Sequence, residues 1–174
     1  AAAAYDDNGD ALLVFGTVSN EVIVYRLSRE RWTIEKALEA PSNKTTSFGS
    51  AVACTGSDLT TVLVGAPDES AVFVYVPVTN ASINSTTWIL EAKLDSPESA
   101  PEARHKFGAA VAVDGDLAAV GAPGLEAVYV YTRHKSAWRL ATTIRSSDYD
   151  YDMLLGGSVV GVHEQSFGAA IALS

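Results

Sequence analysis

The chain repeats itself with a period of about 60 residues, and that periodicity limits its possible folds more than any other feature. Phe-Gly stands at Phe48-Gly49, Phe107-Gly108 and Phe167-Gly168, 59 and then 60 residues apart. After it come a short apolar run, Gly-Ala-Pro (Gly65-Ala66-Pro67, Gly121-Ala122-Pro123), a run ending in Val-Tyr, and a Trp. Val-Tyr recurs at Val24-Tyr25, Val74-Tyr75 and Val130-Tyr131, and the tryptophans at Trp32, Trp88 and Trp138. In both full copies the Gly of Gly-Ala-Pro lies ten residues before the Tyr, while Gly16 lies nine before Tyr25 in a degenerate first copy. A fixed period of this size signals stacked or radial repeats of one supersecondary unit.

Each unit reads as four short strands. They are separated by turn formers, and helical periodicity is absent. The units run over 11–38 (partial), 48–94, 107–144 and 167–174 (partial). The first is read as three strands and the last as one, with the opening alanines assigned no role. VTNASINSTT, between the third and fourth strands of the second unit, reads as a turn-rich insert. MLLGGSVVGV, in the link before Phe167, is a candidate extra strand pair.

Three details favour a β-propeller over a sandwich or barrel. A 60-residue unit of four strands suits one blade. AVFVYV and AVYVY are apolar at every position, so both faces are buried, whereas a strand covered on one side alternates. The Phe-Gly strand is built of small residues (Gly108, Ala109, Ala110, Ala112), as an innermost strand near an axis requires. The expected fold is all-β, about three four-stranded antiparallel blades, excerpted from a larger propeller.

The order of motifs resembles the FG-GAP repeat, known from the propeller of integrin α-subunits, in a shorter variant. Phe107, Gly108, Val111, Ala112, Gly115, Asp116, Val120, Gly121, Ala122, Pro123, Ala127 to Tyr131 and Trp138 follow its pattern. The resemblance covers the chain from about residue 10 onward. It implies a propeller, structural roles for the Phe-Gly and Gly-Ala-Pro residues, and a place in adhesion or surface assembly. Fold alone does not fix function. Integrin-type repeats often carry a calcium loop between the first two strands; Asp114-Gly115-Asp116 is too short for one, and CTGSDLTT offers only Asp58.

Other cation candidates are Asp6, Asn8 and Asp10 in DDNGD, and Asp148, Asp150 and Asp152 in DYDYD. Both place oxygens at positions 1, 3 and 5 of a Ca²⁺ loop, and both lack its glycine at six and acid at nine. A solvated acidic loop is the alternative. His105, His134 and His163 fall at different points of the unit and do not suggest a shared metal. There is no G-x-S-x-G elbow, no phosphate loop before a helix and no isolated carboxylate pair. The net charge of −9 leaves no basic stripe for nucleic acid. No apolar run is long enough to cross a bilayer as a helix. Cys54 is the only cysteine and reads as a small buried hydrophobe.

Asn43, Asn80 and Asn84 each begin an N-x-[ST] sequon, all in polar links or inserts. They point to N-linked glycans and a secreted or cell-surface protein. The expected function is a non-enzymatic extracellular binding or scaffolding module, with a protein partner or self-assembly through strand edges and loops. The alternatives are a structural subunit of a glycosylated filament or coat, and an accessory propeller of a secreted hydrolase. A lectin-like role is conceivable, but nothing in the sequence marks a sugar site.

Overall fold

The computed structural model describes residues 1–5, 11–41, 46–55, 60–80, 85–98, 105–146 and 167–173. They form three four-stranded antiparallel sheets, each a simple meander. The first comprises β1 (Ala2–Tyr5), β2 (Ala11–Gly16), β3 (Glu21–Ser28) and β4 (Arg31–Glu39). The second comprises β5 (Ala51–Thr55), β6 (Thr61–Ala66), β7 (Ala71–Asn80) and β8 (Ser85–Asp95). The third comprises β9 (Ala110–Asp114), β10 (Leu117–Ala122), β11 (Ala127–His134) and β12 (Ala137–Arg145). Every sheet has a bulge at its Val-Tyr pair, between Val24 and Tyr25, Val74 and Tyr75, and Val130 and Tyr131. A bulge adds local twist, so the recurring Val-Tyr fixes where each outer hairpin turns away.

The sheets stack face to face, and two apolar layers separate them. Val14, Val22 and Val24 of the first sheet meet Phe48, Val62, Val64, Phe73, Tyr75 and Trp88 of the second unit. On the opposite face of the second sheet, Leu63, Val72 and Val74 meet Phe107, Val120, Tyr129 and Tyr131. Successive residues of β6 and β7 thus serve opposite layers, which explains their unbroken apolar sequence. Each fully buried Val, Leu or Phe contributes about 1.5–3 kcal/mol.

The two glycine motifs meet at every boundary. Gly49 N–H donates to the Gly65 carbonyl (3.0 Å), and Gly108 N–H to the Gly121 carbonyl (2.9 Å), tying each Phe-Gly to its own sheet. The Phe-Gly carbonyl also rests on the glycine of the preceding sheet. A Cβ on Gly16, Gly65 or Gly121 would stand 2.0, 2.0 and 1.9 Å from the carbonyl oxygen of Gly49, Gly108 and Gly168. Gly49, Gly108 and Gly168 have φ of +87°, +91° and +81°. One glycine therefore supplies close approach and the other a left-handed backbone. Pro67 and Pro123 directly follow β6 and β10 and end those strands.

Three sequence readings change. The opening alanines are not idle: Ala2–Tyr5 pairs with Ala11–Val14 as the innermost strand, so the first unit has four strands rather than three. Small residues fit that position for the reason already given for Ala110 and Ala112. The segment 167–173 docks Gly168 on Gly121 but carries no strand. The insert in the second unit is largely strand, since Val78, Thr79 and Asn80 pair with Thr87, Thr86 and Ser85 in a ribbon extending β7 and β8. MLLGGSVVGV lies outside the described residues.

Candidate functional site

On β6, the inner half of β7, β9 and β10 the side chains face neighbouring sheets and most are buried. Function is best sought where regularity breaks, because insertions in repeat proteins collect on one face. The break here is the β7–β8 ribbon. β7 and β8 span ten and eleven residues, against eight and nine for β3 and β4 or β11 and β12.

Beside this ribbon runs a polar ladder linking the sheets. Trp88 Nε1 donates to Glu35 of the first sheet at 3.0 Å, and Trp138 Nε1 donates to Glu91 of the second at 3.0 Å. Each acceptor lies three residues after a Trp, in Trp32-Thr-Ile-Glu35 and Trp88-Ile-Leu-Glu91; the third copy has Ala141 at that place. Arg26 Nε donates to Glu35 at 2.5 Å. Arg133 Nε donates to Asp116 at 2.9 Å and its Nη1 to Glu91 at 3.3 Å, while the guanidinium lies 5.2 Å from the Trp138 ring centre. The Arg133 side chain is only 3% exposed, and its Nη2 has no acceptor among the described residues. A buried donor left unmatched costs stability.

The ladder borders a cleft of about 510 Å³, within the usual size of ligand sites. Arg26 of the first sheet and Arg133 of the third flank it. Glu91, Thr60, Val76, Pro77, Thr79 and Thr86 of the second unit form the rest. The Thr79 and Thr86 hydroxyls lie 3.2 Å apart across the ribbon. The lining is polar but its charges are matched.

A second polar cluster joins the link before Phe107 to the third sheet. Glu98 accepts from Tyr129 Oη (3.4 Å) and Arg145 Nη2 (2.5 Å). His105 is buried, with Nδ1 3.3 Å from the Ser96 hydroxyl, and its carbonyl accepts from Gly124 N–H. These contacts hold Glu98 and His105 to the third sheet.

The predicted site residues divide sharply. Phe48, Gly49, Gly65, Ala66, Phe107, Gly108, Gly121, Ala122 and Gly168 stand at sheet boundaries. Asn80 is exposed at the end of β7, close to the cleft-lining Thr79. Asn43, Asn84, Asp58, the two acidic clusters (Asp6, Asn8, Asp10; Asp148, Asp150, Asp152) and His163 lie outside the described residues. His105 is buried beside the third sheet and His134 is exposed at the end of β11. Among the described residues no group of His, Cys, Asp and Glu could hold a metal ion. Burial pushes the Cys54 thiol up to about 11, which removes thiolate reactivity near neutral pH. The Trp-x-x-Glu ladder and the cleft were missed. The ladder had a signal in the repeated spacing; the cleft had none, because three sheets build it.

No family model matches the sequence, and no curated protein is similar to it. Solved structures do match. One is a protein from Lactobacillus plantarum determined in a structural genomics programme, with 12% identity and a TM-score of 0.53. The match covers 84% of this chain and 43% of that one, so this chain spans less than half of its length. At this identity the likeness concerns fold alone, and it agrees with three propeller-like blades.

Proposed function

We propose that this chain is a non-enzymatic extracellular binding or scaffolding module of the FG-GAP propeller type. The observation that carries the reading is the cleft beside the extended β7–β8 ribbon. There the scaffold departs from its repeat and exposes threonine hydroxyls beside paired charges, with no nucleophile–base pair among the described residues lining it. The glycine clasp at each boundary supports the FG-GAP resemblance, since both motif glycines are required by geometry. The sequon that begins at the exposed Asn80 supports an extracellular location.

The test is binding of the purified protein, secreted from a eukaryotic host, to intact cell surfaces and extracellular matrix, beside a Thr86→Arg variant that obstructs the cleft. Saturable binding by the parent, reduced at least tenfold in the variant, is expected. Binding unaffected by the variant would remove the cleft from the function, and no binding would remove the reading. Intact mass before and after enzymatic N-glycan removal tests the location; an unchanged mass would count against it.

A specific observation also favours assembly. The outward face of the first sheet stacks Phe15 on Tyr25 at 5.5 Å and leaves Trp32 46% exposed. The counterparts of Tyr25 and Trp32 in the second sheet, Tyr75 and Trp88, are buried under the first. A face with this chemistry is suited to another such sheet, as in a filament or coat subunit. Sedimentation velocity of the parent and of Trp32→Glu distinguishes a face that associates from one that does not.

A further inference from the structure

We infer that the cleft beside the β7–β8 ribbon takes a neutral, hydroxyl-rich ligand, a saccharide unit, which rests on the binding function proposed above and names its ligand class. The charges decide the class. Two arginines, Arg26 and Arg133, face three carboxylates, Glu35, Glu91 and Asp116, all hydrogen-bonded to them. An anionic ligand would need an arginine with uncommitted charge, and Arg133 already answers two carboxylates. A metal cation would need carboxylate oxygens that guanidinium and indole N–H groups now occupy.

Hydroxyl groups meet neither obstacle. Each both donates and accepts without needing an uncommitted charge, so a vicinal pair can use the lone pairs left on Glu91 and on the threonine hydroxyls that line the cleft. The Thr79 and Thr86 hydroxyls are hydrogen-bonded to each other at 3.2 Å, which leaves one proton and the remaining lone pairs of the pair for a ligand. Arg133 lines the cleft, and its Nη2, buried without an acceptor among the described residues, gains one where a ligand oxygen displaces the cleft wall to reach it. Pro77 adds an apolar patch suited to the C–H face of a sugar ring. The cleft volume of about 510 Å³ accommodates one or two rings.

The experiment is a titration of the full chain with a panel of neutral mono- and disaccharides up to about 50 mM, the range for a shallow site of few hydrogen bonds. It is read by amide chemical shifts, with a sulfated disaccharide in parallel. The expected result is saturable shifts at Thr79, Thr86 and Arg133 with at least one neutral sugar, and weaker response to the sulfated one. In Thr79→Val/Thr86→Val, which alters only exposed side chains, affinity falls about three- to tenfold with an unchanged near-ultraviolet spectrum. Arg133→Lys, which keeps the charge but loses Nη2, weakens binding by a similar factor. No saturable shift with any neutral sugar, tighter binding of the sulfated one, or affinity unchanged in the double valine variant would overturn the assignment. The binding function stands if cell-surface attachment still depends on the cleft while sugars fail, and both fall if that attachment is also absent.

Discussion

Gly65 and Gly121 show how little room a single residue has at a sheet boundary. Their missing Cβ would overlap the carbonyl oxygen of Gly108 or Gly168 at 2.0 and 1.9 Å, and backbone cannot move aside cheaply. Gly65→Ala is expected to cost about 3 kcal/mol or more, read as a lower urea midpoint. Gly115→Ala, at φ +54° with no atom within 4 Å of its Cβ, is expected to cost only about 1 kcal/mol. The glutamates of the ladder give a second contrast. Glu35→Ala removes the partner of Trp88 and Arg26, and the Arg26 side chain is exposed enough to recover water. Glu91→Ala leaves Arg133, which is almost wholly buried, with one carboxylate instead of two. We expect about 1–2 kcal/mol for the first and about 2–4 kcal/mol for the second, in the same denaturant series.

At the scale of the strand, the same burial that makes the stack sets its response to alkali. Desolvation raises the Tyr75 and Tyr131 hydroxyls, on β7 and β11, from 10.0 to about 12, and the Cys54 thiol, on β5, from 9.0 to about 11. For all three the unfolded chain loses its proton first as pH rises, so the folded state binds more protons in that window. Their contribution to stability is fully present below pH 9, declines from there as the unfolded thiol and then the phenols ionise, and is lost by about pH 12. The thermal midpoint should fall steadily between pH 9 and 12, and Tyr75→Phe should flatten that fall; an unchanged slope would contradict the assignment. Strands were also where the sequence was most and least legible. Val-Tyr, Gly-Ala-Pro and Trp located the regular strands because burial on both faces dictates their residues. β1 was illegible because a run of alanine offers neither alternation nor turn signals. The ribbon was hidden because Thr, Asn and Ser read as turn formers even when cross-strand pairing holds them extended. The cleft needs Arg26, Glu91 and Arg133 together, and only the stacking of three sheets brings them to one place.

For the molecule as a whole, the stack makes stability a matter of nearest neighbours. In a repeat array each unit contributes its own stability plus the interfaces it shares. The second sheet shares two apolar layers, one with Val14, Val22 and Val24 and one with Val120, Tyr129 and Tyr131. The first and third share one each, and all six residues of β6 are buried. Opening the first sheet therefore breaks one layer, whereas opening the second breaks both. Amide hydrogen exchange should be slowest in β6 and β7, intermediate in β10 and β11, and fastest in β4 and the outer part of β12, whose residues are mostly exposed. A variant that weakens only the first layer sharpens the argument. Val24→Ala removes two methyl groups from a fully buried site and should cost about 2–3 kcal/mol. It should accelerate exchange throughout β2 and β3 while β10 and β11 keep their protection. Uniform acceleration over all three sheets would instead mean that the stack opens as one cooperative body, and that the glycine clasps couple the sheets more strongly than the apolar layers do.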